Sequence, residues 1–77
     1  MAVFERTTKN LIVKIEEFFD NIELGLLVFR EGLKSYFNGD RDSFLHHIQK
    51  VDILENNADK LQRSIENEMI THSILPQ

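Results

Sequence analysis

Cysteine is absent from the 77 residues, which excludes disulfides and thiolate zinc sites. A chain this short buries only a small core. Without such staples its stability has to come from further copies, other partners or a metal held by nitrogen or oxygen. A cysteine-free composition also suits a reducing cytoplasm, where the protein is expected. Basic residues are in the minority: nine Lys and Arg stand against thirteen Asp and Glu, a net charge of −4. Phosphate-backbone electrostatics would oppose association, so nucleic acid is not an expected partner. Long apolar runs are missing too. The longest, such as "LLVF" at 26–29, fall far short of the roughly 20 residues a helix needs to cross a bilayer. The opening "MAVFERTTKN" lacks the charged-then-apolar order of a secretory signal. No membrane span is expected.

Proline occurs once, at Pro76, and glycine three times, so the chain has few helix breakers, while Leu, Ile, Phe, Glu and Lys dominate it. From Leu11 a column of Leu11, Ile15, Phe18, Ile22, Gly25, Phe29, Gly32 and Tyr36 recurs by fours and threes. A second column, Ile12, Phe19, Leu26 and Leu33, runs beside it at strict seven-residue spacing. The apolar face is therefore too wide for one partner helix to cover. Gly25 and Gly32 sit seven apart on this face. Each costs roughly 1 kcal/mol of helix propensity against alanine, and close approach by a neighbouring helix would explain them.

"YFNGDRDSF" reads as a helix stop and restart: Asn38-Gly39 suits a left-handed C-cap, and Asp40 or Asp42 an N-cap. Helix one is expected over about 5–37 and helix two over about 41–71. The short loop makes them antiparallel. The second apolar stripe is Phe44, Ile48, Val51, Ala58, Ile65 and Met69, flanked by Leu54 and Leu61; helical spacing lapses at "THSILPQ". The expected fold is all-α, an antiparallel helical hairpin.

Glu55 interrupts the second stripe. At about 100° per residue it projects among Ile48, Val51, Ala58 and Met69, with Asp52, Asp59 and Glu66 along the adjoining edge. Burial of an unpaired carboxylate would cost several kcal/mol. Three arrangements resolve this. Lys14, Arg30 or Lys34 reaches across from helix one, the face is wet because its neighbour is missing, or a hard cation is held by the i, i+4 carboxylates.

The order of features resembles the N-terminal part of the PhoU-like proteins, in particular the subgroup associated with inorganic phosphate permeases. The resemblance rests on the long first helix, the break at "YFNGDRDSF", and "HHIQKVDILENNADKLQRSIENEMI" followed by "LP". Its most specific part is "LENNADKLQRSI". In that family a Glu-x-x-x-Asp pattern supplies carboxylate ligands to metal ions on the outside of three-helix bundles. The ligands implied here are Glu55 and Asp59, with Asp52 the lesser candidate, and the ion iron, zinc or magnesium. The family continues beyond the "LP" break with further helices. The resemblance therefore implies that residues 1–77 are one partial helical domain, a fragment or one completed by self-association.

Other constellations read as structural. His46 and His47 diverge by about 100° on a helix and cannot chelate one ion together. His47 reads as a packed or capping side chain, and His72 as a complement to a helix C-terminus. The phenylalanines are expected in core packing. Ser35, Ser43, Ser64 and Ser73 have no histidine placed by sequence as a base, and "GLKS" at 32–35 lacks the first glycine of a phosphate loop. No enzyme activity is expected.

The resemblance implies a PhoU-like accessory or regulatory protein of inorganic phosphate transport that acts by binding. Its partners would be other copies of itself and a phosphate permease or signalling protein, at the inner face of the membrane. The alternative reading is a small helical dimerisation module with no phosphate or metal role.

Overall fold

The computed structural model describes residues 2–72, with the side chains of residues 2–5 and 7 outside that description. Residues 73–77, which hold the "LP" break and Ser73, lie outside it as well. Helix α1 runs over Ala2–Phe37 and helix α2 over Arg41–Thr71. The two pack against each other as an antiparallel hairpin, an all-α rod about 57 Å long, and no strand occurs among the described residues. α1 begins at Ala2, earlier than the expected residue 5.

Three residues, Asn38–Asp40, link the helices. Gly39 adopts φ 76°, a left-handed conformation that a Cβ disfavours. This lets the Asp40 N–H donate to the Ser35 carbonyl at 2.9 Å and the Gly39 N–H to the Tyr36 carbonyl at 3.1 Å, satisfying the last carbonyls of α1. Asp40 then starts α2, its Oδ1 accepting the Ser43 N–H at 3.1 Å. Of the two N-cap candidates Asp40 serves, and Asp42 sits in the first turn, where its charge complements the helix dipole.

Which face of α1 meets α2 follows from side-chain size. The residues turned inward repeat at seven: Leu11, Phe18, Gly25 and Gly32, with Lys14, Asn21, Val28 and Ser35 alongside them. They are small or polar apart from Leu11, Phe18 and Val28, so the helices approach closely. A Cβ at Gly32 would stand 3.0 Å from the His47 Cβ, and one at Gly25 would meet the Leu54 Cβ at 4.0 Å. Gly32 is therefore the position where close approach requires glycine.

The bulkier column is left outside. Ile12, Phe19, Leu26 and Leu33 are all exposed, Phe19 at 60 % and Leu26 at 65 %, and so are Ile22, Phe29 and Tyr36. Among the described residues only Leu11, Gly32 and Ala58 are buried. The expectation that the phenylalanines fill a core is corrected here. Phe18 and Phe44 are half-buried, whereas Phe19, Phe29 and Phe37 face outward because a single neighbouring helix covers only one side of the stripe. The surface area shows the same deficit. The chain exposes 6184 Å², whereas a compact monomer of its 9.1 kDa mass exposes about 4,900 Å².

Candidate functional site

The middle of the hairpin carries a groove of about 310 Å³ on its open side, lined by Asn21, Ile22, Gly25, Leu26 and Phe29 of α1 and by Val51, Leu54 and Glu55 of α2. The groove exists because Gly25 contributes no side chain between Ile22 and Phe29, while Val51 and Leu54 project from the facing helix. Its lining is apolar except for Asn21 and Glu55. The Asn21 amide is turned to its own helix, donating to the Glu17 carbonyl at 2.8 Å. Glu55 is thus the one charged group lining a hydrophobic groove.

The burial conflict expected at Glu55 is resolved by exposure. Glu55, Asp52 and Asp59 are all exposed on α2, and none forms a salt bridge among the described residues. Of the three arrangements set out above, a cross-helix cation reaching Glu55 is not the one found among the described residues. The cross-helix cations have other positions. The Lys14 ammonium lies between α1 and α2, paired with the Glu68 carboxylate and donating to the Ser64 hydroxyl at 2.8 Å. Lys34 bonds Glu31 on its own helix at 3.0 Å. That ammonium holds the Glu31 carboxyl below the usual range, first by the hydrogen bond and then by its charge. Arg30 has no ion pair among the described residues and stands beside Leu26 and Leu27 at the outer edge of the exposed stripe.

As a cation site, the α2 ridge offers Glu55 and Asp59 one helical turn apart, with Asp52 one turn before Glu55. Two carboxylates fill a minority of the six or so oxygen positions that a hard divalent cation takes, and water or groups from another chain would have to complete the shell. Among the described residues no cluster of three or more metal-binding side chains forms.

Sequence reasoning missed the Lys14–Ser64–Glu68 cluster, a half-buried polar contact between the two helices. One carboxylate oxygen of Glu68, Oε2, is buried without a hydrogen-bond partner. The signal was present in the hairpin register. A tight turn at Asn38–Gly39 with Gly32 opposite His47 and Gly25 opposite Leu54 carries Lys14 down to the level of residues 64–68.

A second correction concerns serine and histidine. Ser43 and His47, four residues apart, do lie together, with Oγ and Nδ1 3.5 Å apart and the Ser35 hydroxyl 2.9 Å from that of Ser43. His47 Nδ1 also lies 2.6 Å from the Ser43 backbone carbonyl. A carbonyl only accepts, so Nδ1 carries the proton and has no lone pair to take one from Ser43. His47 is the packed side chain expected of it, seated against Gly32. His72 caps the end of α2, its backbone N–H donating to the Glu68 carbonyl at 3.0 Å.

No helix among the described residues is long and apolar enough to cross a membrane. No family model, curated protein or solved structure matches the chain.

Proposed function

We propose that the protein acts by binding, as a PhoU-like accessory or regulatory protein of inorganic phosphate transport at the inner face of the membrane. In this reading Glu55 and Asp59 hold a cation, iron, zinc or magnesium, with Asp52 as an accessory ligand. The open helical face engages other copies of the chain and a permease or signalling protein. The observation that carries the reading is the position of Glu55. It stays exposed at the border between an apolar groove and a ridge of carboxylates, open to a cation from solvent. Native mass spectrometry and calorimetric titration with iron(II), zinc and magnesium test it. The wild-type chain is expected to take up an ion that Glu55→Gln loses, and uptake unchanged by that substitution would refute the site.

A second reading, a helical interaction module with no ion and no phosphate link, is favoured by the exposed seven-residue column itself. It predicts that Glu55→Leu leaves stability unchanged or raised, because a carboxylate beside an apolar contact is a cost. A loss of stability in metal-free buffer counts against it.

A further inference from the structure

The stripe that α2 leaves uncovered has the order of a coiled-coil seam. The column from Ile12 to Leu33 repeats every seven residues, and the column from Ile15 to Tyr36 follows it three residues later. Four uninterrupted heptads of this pattern keep a seam facing one neighbouring helix along its whole length. Charge, register and area together specify that neighbour.

The edge of the seam that points away from α2 is divided by sign. Glu16, Asp20 and Glu23 lie along its first half, and Arg30 and Lys34 along its second. All five are exposed side chains on the rim, and Arg30 is without an ion pair among the described residues. A helix of the same sequence laid parallel would put acid beside acid and base beside base. Laid antiparallel, it brings Glu16 of each copy beside Arg30 of the other, and of the rim acids only Glu23, next to the axis, meets its own mate. One antiparallel register also pairs every seam position. Ile12 packs on Tyr36 of the second copy and Phe19 on its Phe29, with Ile15–Leu33 and Ile22–Leu26 between.

Area agrees with this occupant. The chain's surface exceeds that of a compact monomer of its mass by about 1,300 Å², and a homodimer interface commonly removes about 1,000 Å² or more from each partner. We infer that the open face is a homodimer interface in which two hairpins pair antiparallel through the Ile12–Tyr36 seam of α1 about a two-fold axis, completing a four-helix bundle.

The axis then falls at the level of residue 24. Because Gly25 lies opposite Leu54, this is also the level of Glu55. With α1 on α1, α2 faces α2, and the two Glu55 carboxylates confront each other across the axis. Glu55 is thus a built-in weakness of the dimer, and Glu55→Gln tightens it. This inference stands on charge and register and does not depend on the phosphate-transport reading.

Sedimentation equilibrium of the full chain over a wide concentration range tests the pairing, together with single-cysteine variants that the cysteine-free sequence makes unambiguous. The expected results are a dimer, weakened several-fold by Glu16→Lys and restored when Arg30→Glu is added. Glu23→Cys, next to the axis, should cross-link under mild oxidation, while Glu16→Cys, about 14 residues from its own mate, should not. Both substituted positions are on the exposed rim, so circular dichroism should show intact helices. A monomer at every concentration, a trimer or larger species, equal cross-linking at both positions, or a charge swap that fails to restore the dimer each overturns the inference. Loss of metal uptake in Glu55→Gln bears only on the proposed function.

Discussion

Gly25 and Gly32 lie seven residues apart on the same face of α1, yet replacing each by alanine should have different outcomes. Either substitution recovers about 1 kcal/mol of helix propensity. At Gly25 the new methyl meets the Leu54 Cβ at 4.0 Å, an ordinary van der Waals distance. The full gain is therefore expected, which for a chain of this size is a rise in Tm of about 4–8 °C. At Gly32 the methyl meets the His47 Cβ at 3.0 Å. That atom is fixed to the backbone of α2, so the helices must separate or His47 must lose its 2.6 Å contact with the Ser43 carbonyl. Overpacking of this kind costs about 1–3 kcal/mol, which cancels or outweighs the propensity gain. Tm should be unchanged or lower. Thermal unfolding followed by circular dichroism decides, with all variants at one chain concentration because association shifts Tm by mass action. If Gly32→Ala raises Tm as much as Gly25→Ala, glycine does not set the distance between the helices.

Lys14→Met leaves the half-buried Glu68 without its partner and should destabilise by roughly 1–2 kcal/mol. Adding Glu68→Leu should restore most of that, because two apolar groups replace the pair; a double variant as unstable as the single one would refute the assignment in a denaturant titration. Glu31 should titrate below the ordinary carboxylate range by carboxyl NMR and return to it in Lys34→Met. Since its folded pKa is the depressed one, its contribution to stability is present above the ordinary carboxylate pKa and fades as pH falls through the lowered value. A midpoint indifferent to Lys34→Met would exclude Lys34 as the cause.

Local chemistry made most of the fold legible in advance. Few breakers, a 3–4 apolar rhythm and the "FNGD" stop were enough for two helices and the turn between them. Gly39 adopts the left-handed conformation and Asp40 the N-cap that those residue types favour. These are interactions within a few residues, so the sequence alone encodes them. The carboxylate ridge of Asp52, Glu55 and Asp59 was legible for the same reason, since helical phase follows from spacing.

What spacing left open was which part of the wide stripe α2 would cover. Ile12–Leu33 and Leu11–Gly32 are columns of equal period, and on hydrophobicity alone the bulkier column is the better core. Tertiary packing took the other one, because Gly32 lets two helix backbones approach where leucine or phenylalanine would hold them apart. The pairing of Lys14 with Glu68 and the exposure of Glu55 both follow from that choice of face and its register. They depend on contacts between residues about fifty positions apart or on the lack of a neighbour. The sequence by itself determined the helices, the turn and the phase of each charge; the tertiary structure decided which face was buried and which carboxylate stayed in water.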